Sequence, residues 1–246
     1  ICLLPWVIPR LKKEGRILLA AWKPICAMGI FMVGSSTLSL LSVNFTTATN
    51  ASLVNAGQPL TTAAIAWLIY RDQLNFIQTL GIVAGAIGII TMVSRANFMI
   101  LQSLEFNSGD LIVLIAIIGY GSYSNTLRII PRNLSFTSLM FGVCIAGCIE
   151  LLPFYIYESF TYMTMPTNWV TIMCVTVLGL VTSLIPTYWW NSAVSVVGVN
   201  RSAIFVNLIP VFGATLATIF LNEQIYFYHI SGAALIFIGI LLVIKG

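Results

Sequence analysis

Stretches of about twenty apolar residues follow one another along this 246-residue chain. Each is long enough to carry a helix across about 30 Å of hydrocarbon at about 1.5 Å per residue. A backbone in lipid must satisfy its polar groups internally, which leaves only helices or a closed barrel. No run shows the in/out alternation of a barrel strand, so the expectation is an all-α polytopic membrane protein. Composition agrees: 59% of residues are hydrophobic and 7% charged, more apolar than a water-soluble interior accommodates. Spans are expected at about 24–43, 48–70, 75–94, 110–130, 135–157, 168–190, 198–221 and 227–245, with the octet 1–8 read as the tail of another.

The net charge of +4 does not point to nucleic acid, because the basic residues sit between apolar runs rather than on one soluble face among aromatics. Counted over alternate loops, Arg10, Lys12, Lys13, Arg16, Lys23, Arg71, Arg128, Arg132, Arg201 and Lys245 fall on one side and only Arg95 on the other. Cytoplasmic loops collect Lys and Arg, so Asn97 to Ser108 and the loop near Thr161 are expected outside. The octet is followed, not preceded, by basic residues, which argues against a signal peptide. The cysteines Cys2, Cys26, Cys144, Cys148 and Cys174 lie within or beside apolar runs, where a thiol acts as a small hydrophobe. Cys144 and Cys148 share a helix face and a metal pair is conceivable, but His229 is the only histidine and lies far off in sequence; no metal and no cofactor are expected.

The chain repeats itself. Pro59 and Pro210, Asp72 and Glu223, Gln73 and Gln224, Phe76 and Phe227, Gly81 and Gly232, and Gly88 and Gly239 are all separated by 151 positions (210 − 59), which argues for an internal duplication. Five spans separate the two copies, so the runs bearing Pro59 and Pro210 must cross in opposite directions. An inverted repeat suits a transporter, whose two halves can exchange conformations about one central site. The competing reading is that duplication only builds a stable bundle.

Asn50 to Asp72 and Arg201 to Glu223, each with a mid-span proline and an acidic residue thirteen positions on, are followed by Gly81 to Gly88 and Gly232 to Gly239. Ser108, Gly109 and Asp110 open a span that ends near Arg128. In this order the motifs resemble the two EamA-type repeats of the drug/metabolite transporter superfamily. The resemblance implies a ten-helix permease of two inverted five-helix repeats around a central cavity, moving small metabolites and often exporting them. The repeats would be 1–95, N-terminally incomplete, and 109–246. On that symmetry the first helix and most of the second lie upstream of residue 1. A bacterial inner membrane is the expected location.

Within the spans, Pro59 and Pro210 each remove a backbone hydrogen bond and bend the helix, marking candidate positions beside a central site. Asn55, Gln58 and Thr62, with Ser52, form one polar stripe, and Asn200, Asn207 and Pro210 a second. Polar side chains are costly in lipid, so both stripes should face inward, either to hold a substrate or only to join helices. Tyr188, Trp189, Trp190 and Asn191 suit an interfacial belt or ring stacking; Tyr120, with Tyr123 and Asn125, is the deeper cavity candidate. Glu150 is the one acidic residue well inside an expected span and a candidate proton carrier, unless it reaches a wet vestibule. The G-x-x-x-G of Gly81 and Gly85 reads as close packing, and Asp72 and Glu223 as caps of the helices that follow.

The function expected is secondary active transport, most simply export, of small organic metabolites such as amino acids or drugs. The partners are a small-molecule substrate, the lipid bilayer and a candidate coupling proton, with no nucleic acid. There is no P-loop through which ATP would drive it. A membrane-embedded enzyme would need a convergent nucleophilic or metal constellation, which lone His229 and scattered carboxylates do not supply. A non-transporting structural membrane protein is the third reading.

Overall fold

The computed structural model describes residues 3–102, 107–161, 166, 168–221 and 224–246. Among them the chain forms α1 (Leu4–Ala20), α2 (Trp22–Ser42), α3 (Ala48–Asn55), α4 (Gln58–Tyr70), α5 (Phe76–Val93), α6 (Phe98–Gln102), α7 (Ser108–Ile129), α8 (Phe136–Thr161), α9 (Trp169–Val197), α10 (Val199–Phe220) and α11 (Phe227–Lys245), without strands. Seven of these, α2, α5 and α7 to α11, are long and apolar enough to cross a bilayer. The expected span 48–70 is present but broken between α3 and α4. Phe154, Phe160, Phe220 and Phe227 are among many large apolar side chains left exposed, as on helices that face lipid.

Two helix ends differ from the sequence reading. The helix that holds the octet 1–8 does not stop there: α1 continues to Ala20 through Arg10, Lys12, Lys13, Glu14 and Arg16. Pro5 falls in the first turn, where no N–H is needed, and Pro9 withdraws only one further bond. Asp72 does not cap α5. α4 ends with Arg71 in the left-handed region (φ 59°), and α5 is capped by Asn75, whose side chain accepts from the Gln78 N–H while Gln78 Oε1 accepts from the Asn75 N–H, a reciprocal capping box. Glu223 lies outside the described residues.

The helices gather into two compact units. The first comprises Ile1–Gly34 and Thr126–Val196, the second Ser35–Asn125 and Val197–Gly246. Each takes segments from both halves of the sequence.

In the first unit α2 packs along α8 through small residues. A Cβ on Gly29 would lie 3.0 Å from the Ala146 Cβ, and one on Gly142 would lie 3.2 Å from Ile25. Position advances together on both helices, so they run parallel. α1 is tied to the start of α8 by Glu14, which accepts from the N–H and Oγ of Ser135 (3.1 and 2.7 Å). Burial tends to raise the Glu14 pKa, but the hydrogen bonds from Ser138 and Ser135, with nearby Arg10, outweigh it and hold the carboxyl below its ordinary value of 4.5. Two π-helical stretches, Ile30–Gly34 in α2 and Leu178–Leu184 in α9, were not foreseen from sequence. They nearly superpose under the 151-residue offset.

In the second unit α5 and α11 form an antiparallel, glycine-lined seam. A Cβ on Gly81 would come within 2.6 Å of the Gly239 carbonyl oxygen, and one on Gly88 within 2.6 Å of that of Gly232. Ile82, Ile89, Met92, Ile236, Ile240 and Val243 close the core beside the seam, with Ala56 and Ile204. α7 seats Gly121 on Thr62 and Ile65 of α4, and the Tyr70 hydroxyl donates to the Asn125 carbonyl (3.1 Å).

Candidate functional site

Both expected prolines stand just after an interruption of the α-helix. Pro59 is the second residue of α4, behind the break at Ala56 and Gly57. Pro210 is the second residue of the α-helical part of α10, behind the 3-10 turn Ile204–Leu208. Proline lacks the N–H that the carbonyl four residues back would receive, so Asn55 and Val206 lose that helical donor at matching places.

The interruption also splits the first polar stripe. Asn55 is exposed, Gln58 half-buried and Thr62 buried, because i, i+3, i+7 spacing does not hold one face across a broken helix. The second stripe converges better. Asn207 is fully buried, and neither its Oδ1 nor its Nδ2 has a hydrogen-bond partner among the described residues; Asn200 Oδ1 is likewise unsatisfied. Asn207 projects at α5, where a Cβ on Gly85 would lie 2.6 Å from its Nδ2. A buried amide without partners costs about 1–3 kcal/mol, which marks a place where a polar group from elsewhere belongs.

Asn125 is bound more tightly. Its Nδ2 donates to the carbonyls of Thr62 and Gly121 (3.1 and 2.9 Å), leaving Oδ1 free among the described residues. Tyr120 is half-buried, with its hydroxyl 3.1 Å from Ser36 Oγ. The second unit therefore holds Pro59, Tyr120, Asn125, Asn207 and Pro210 in partly or fully buried positions, and Asn55 outside its core.

In the first unit Trp189 is 69% exposed, as an interfacial ring would be. Tyr188 meets Phe136 edge to face at 6.3 Å. Glu150 turns inward: its Oε2 is buried with no partner among the described residues, 2.8 Å from the place a Cβ on Gly29 would occupy. Gly29 leads directly into the π-helical stretch of α2. Sequence reasoning missed an open cavity of about 490 Å³ lined by α2, α8 and α9, with Leu3 at its edge. The spacing of Thr176, Gly179, Ser183 and Thr187 on α9 is the signal that would have located it.

No group of three or more His, Cys, Asp or Glu side chains able to hold a metal occurs among the described residues. His229 is engaged locally, its Nδ1 accepting from the Tyr226 N–H (3.1 Å).

Membrane-length helices that hold polar groups in their interior define a multi-pass membrane protein of the transport class. The chain belongs to the EamA-like transporter family, which it matches over residues 1–94 and again over 107–245. It is 24% identical over 217 residues to the uncharacterized transporter YyaM of Bacillus subtilis (strain 168), an alignment covering 87% of this chain and 69% of that protein. It is 24% identical over 220 residues to the uncharacterized transporter YetK of the same organism, covering 86% and 64%. An uncharacterized transporter of Archaeoglobus fulgidus is 22% identical, covering 88% and 67%. The chain thus spans about two thirds of the length of these relatives. A solved crystal structure superposes on it with a TM-score of 0.73 at 17% identity, over 96% of this chain and 80% of its own, a likeness of fold. Family and relatives alike are transporters rather than enzymes.

Proposed function

We propose that the protein is a secondary active transporter that exports small organic metabolites, amino acids or drugs among them, by alternating access between two inverted repeats of a ten-helix fold. One observation carries this reading. Gly81 approaches Gly239 while Gly88 approaches Gly232, and the 151-residue offset turns 81 into 232 and 88 into 239. Each contact therefore maps onto the other with its partners exchanged, as an internal two-fold axis between oppositely directed helices requires. The matched interruptions before Pro59 and Pro210 and the matched π-helical stretches support the same relation.

Asn55, Gln58, Pro59, Tyr120, Asn125, Trp189, Asn207 and Pro210 are the residues proposed to meet substrate, with Asn207 first because its amide is buried and unsatisfied. Glu150 is proposed to carry a coupling proton: it is an acidic side chain within a span, and its Oε2 is buried with no partner among the described residues, 2.8 Å from where a Cβ on Gly29 would lie.

The test is transport by the purified protein in proteoliposomes, screened against amino acids, nucleobases and cationic drugs with and without a pH gradient. Saturable, gradient-dependent flux of one class is expected. Absence of flux for every class, together with cysteine accessibility that no compound alters, would overturn the reading.

A further inference from the structure

We infer that the cavity of the first unit is a binding site for uncharged, ring-bearing organic molecules, an assignment that rests on the transporter reading and narrows its substrate class. Its volume of about 490 Å³ lies in the range of about 300–1,000 Å³ typical of small-molecule pockets.

Among the described residues none that lines the cavity bears a charge: they are Leu, Ile, Val, Met, Phe, Cys, Gly, Ser and Thr. An amino-acid zwitterion or a cation entering it would lose hydration with no counter-charge to replace it. The Thr176 hydroxyl is already spent on the Ile172 carbonyl of its own helix (2.7 Å). What the cavity offers instead is sulfur. Met140, Cys144 and Cys148 occupy successive turns of α8, and Met32 joins them from α2; the Met140 sulfur also accepts from Asn191 Nδ2 (3.4 Å), so the other three are the freer. Thioethers and thiols are polarizable, favour the edges of aromatic rings, and adapt to varied shapes. A lipid tail would need only a smooth aliphatic groove; sulfur presented from two helices favours a flat ring.

The opposite wall is the π-helical stretch Leu178–Leu184. A Cβ on its Gly179 would meet nothing within 4 Å, so the widened helix leaves room for a ligand. Cys144 and Cys148 are exposed within this open cavity, and Cys174, on α9 but outside the lining, is exposed as well. The cysteines therefore report on occupancy and carry an internal reference.

The test uses the reconstituted protein, N-ethylmaleimide with mass-spectrometric readout at each cysteine, and N-phenyl-1-naphthylamine, an uncharged aromatic fluorophore, as probe. At about ten times its Kd the probe leaves about a tenth of sites open, so labelling of Cys144 and Cys148 should slow about tenfold while Cys174 is unchanged. Zwitterionic tryptophan should protect neither. Gly179→Phe, whose Cβ meets no neighbour and whose ring enters the cavity, should abolish probe binding. Gly213→Phe, on α10 and equally open around its Cβ, should not.

Unprotected cysteines, or protection that survives Gly179→Phe, would overturn the site. Thiols already shielded in lipid and freed in detergent, with no probe effect in either, would assign the cavity to acyl chains and also overturn it. Protection by the probe without any flux of it would sink the transporter reading and leave the site. Flux of charged compounds without protection would do the reverse.

Discussion

The two compact units use glycine in opposite ways. In the second, Gly81, Gly88, Gly232 and Gly239 let the backbones of α5 and α11 touch, and any Cβ there would collide with carbonyl oxygens. In the first, Gly179 faces open space beside a cavity and a π-helical stretch. In lipid no hydrophobic effect drives helices together, so association depends on close van der Waals approach. A seam of this kind is stiff, and a π-helical wall with a free face is a place where a helix can repack. The contrast separates a glycine seam that fixes two helices against each other from a glycine that leaves space beside a π-helical wall.

The strongest way to break this comparison is to make one substitution in both units. Gly81→Leu should cost about 3 kcal/mol or more by overpacking the seam and should abolish the monodisperse folded protein in detergent. Gly179→Leu should change stability by no more than about 0.5 kcal/mol. Equal losses in thermal unfolding would erase the distinction.

Next in size is a contrast between two amides of the second unit. Asn125→Leu removes two donated hydrogen bonds and should destabilise by about 1–3 kcal/mol. Asn207→Leu removes an amide with no partner, so stability should hold or rise while transport falls. If Asn207→Leu unfolds the protein as Asn125→Leu does, the orphan amide belongs to the scaffold and not to a substrate site.

Glu150→Gln sharpens the picture of the first unit. It keeps the shape against Gly29 and removes the titrating group, so folding should change by less than about 1 kcal/mol while flux loses its dependence on a pH gradient. Flux that still follows the gradient would free Glu150 of the proton.

The smallest effect is at Glu14. Its folded pKa is depressed, so its contribution is fully present above the unfolded value of 4.5 and is lost as pH falls through the lower folded value. The difference in thermal stability between the native protein and Glu14→Gln should be small, because the carboxyl is largely exposed and screened. It should stay flat at neutral pH and diminish as pH falls below the unfolded value of 4.5. A difference that grows on acidification would mean the Ser135 contact is not held by the carboxylate.

Helix type, the approximate bounds of most membrane segments, the two prolines that interrupt them and the 151-residue offset were legible in the sequence; the number was not, since eight spans and the tail of a ninth were expected and seven helices among the described residues are long and apolar enough to cross. Lipid acts on each segment separately, so twenty apolar residues report a span whatever surrounds them. It also flagged Asn207 and Glu150 as costly residues inside spans. Tertiary contacts were needed to establish that Asn207 lacks a partner among the described residues while Asn125 has two acceptors, that Asn55 is exposed, that Asn75 and not Asp72 caps α5, and that α1 runs on through its basic residues. The glycine contacts, the π-helical stretches and the cavity between α2, α8 and α9 were likewise settled there. Each depends on which neighbour stands within a few ångströms: hydropathy sums over one helix, whereas hydrogen-bond satisfaction and close packing are properties of pairs.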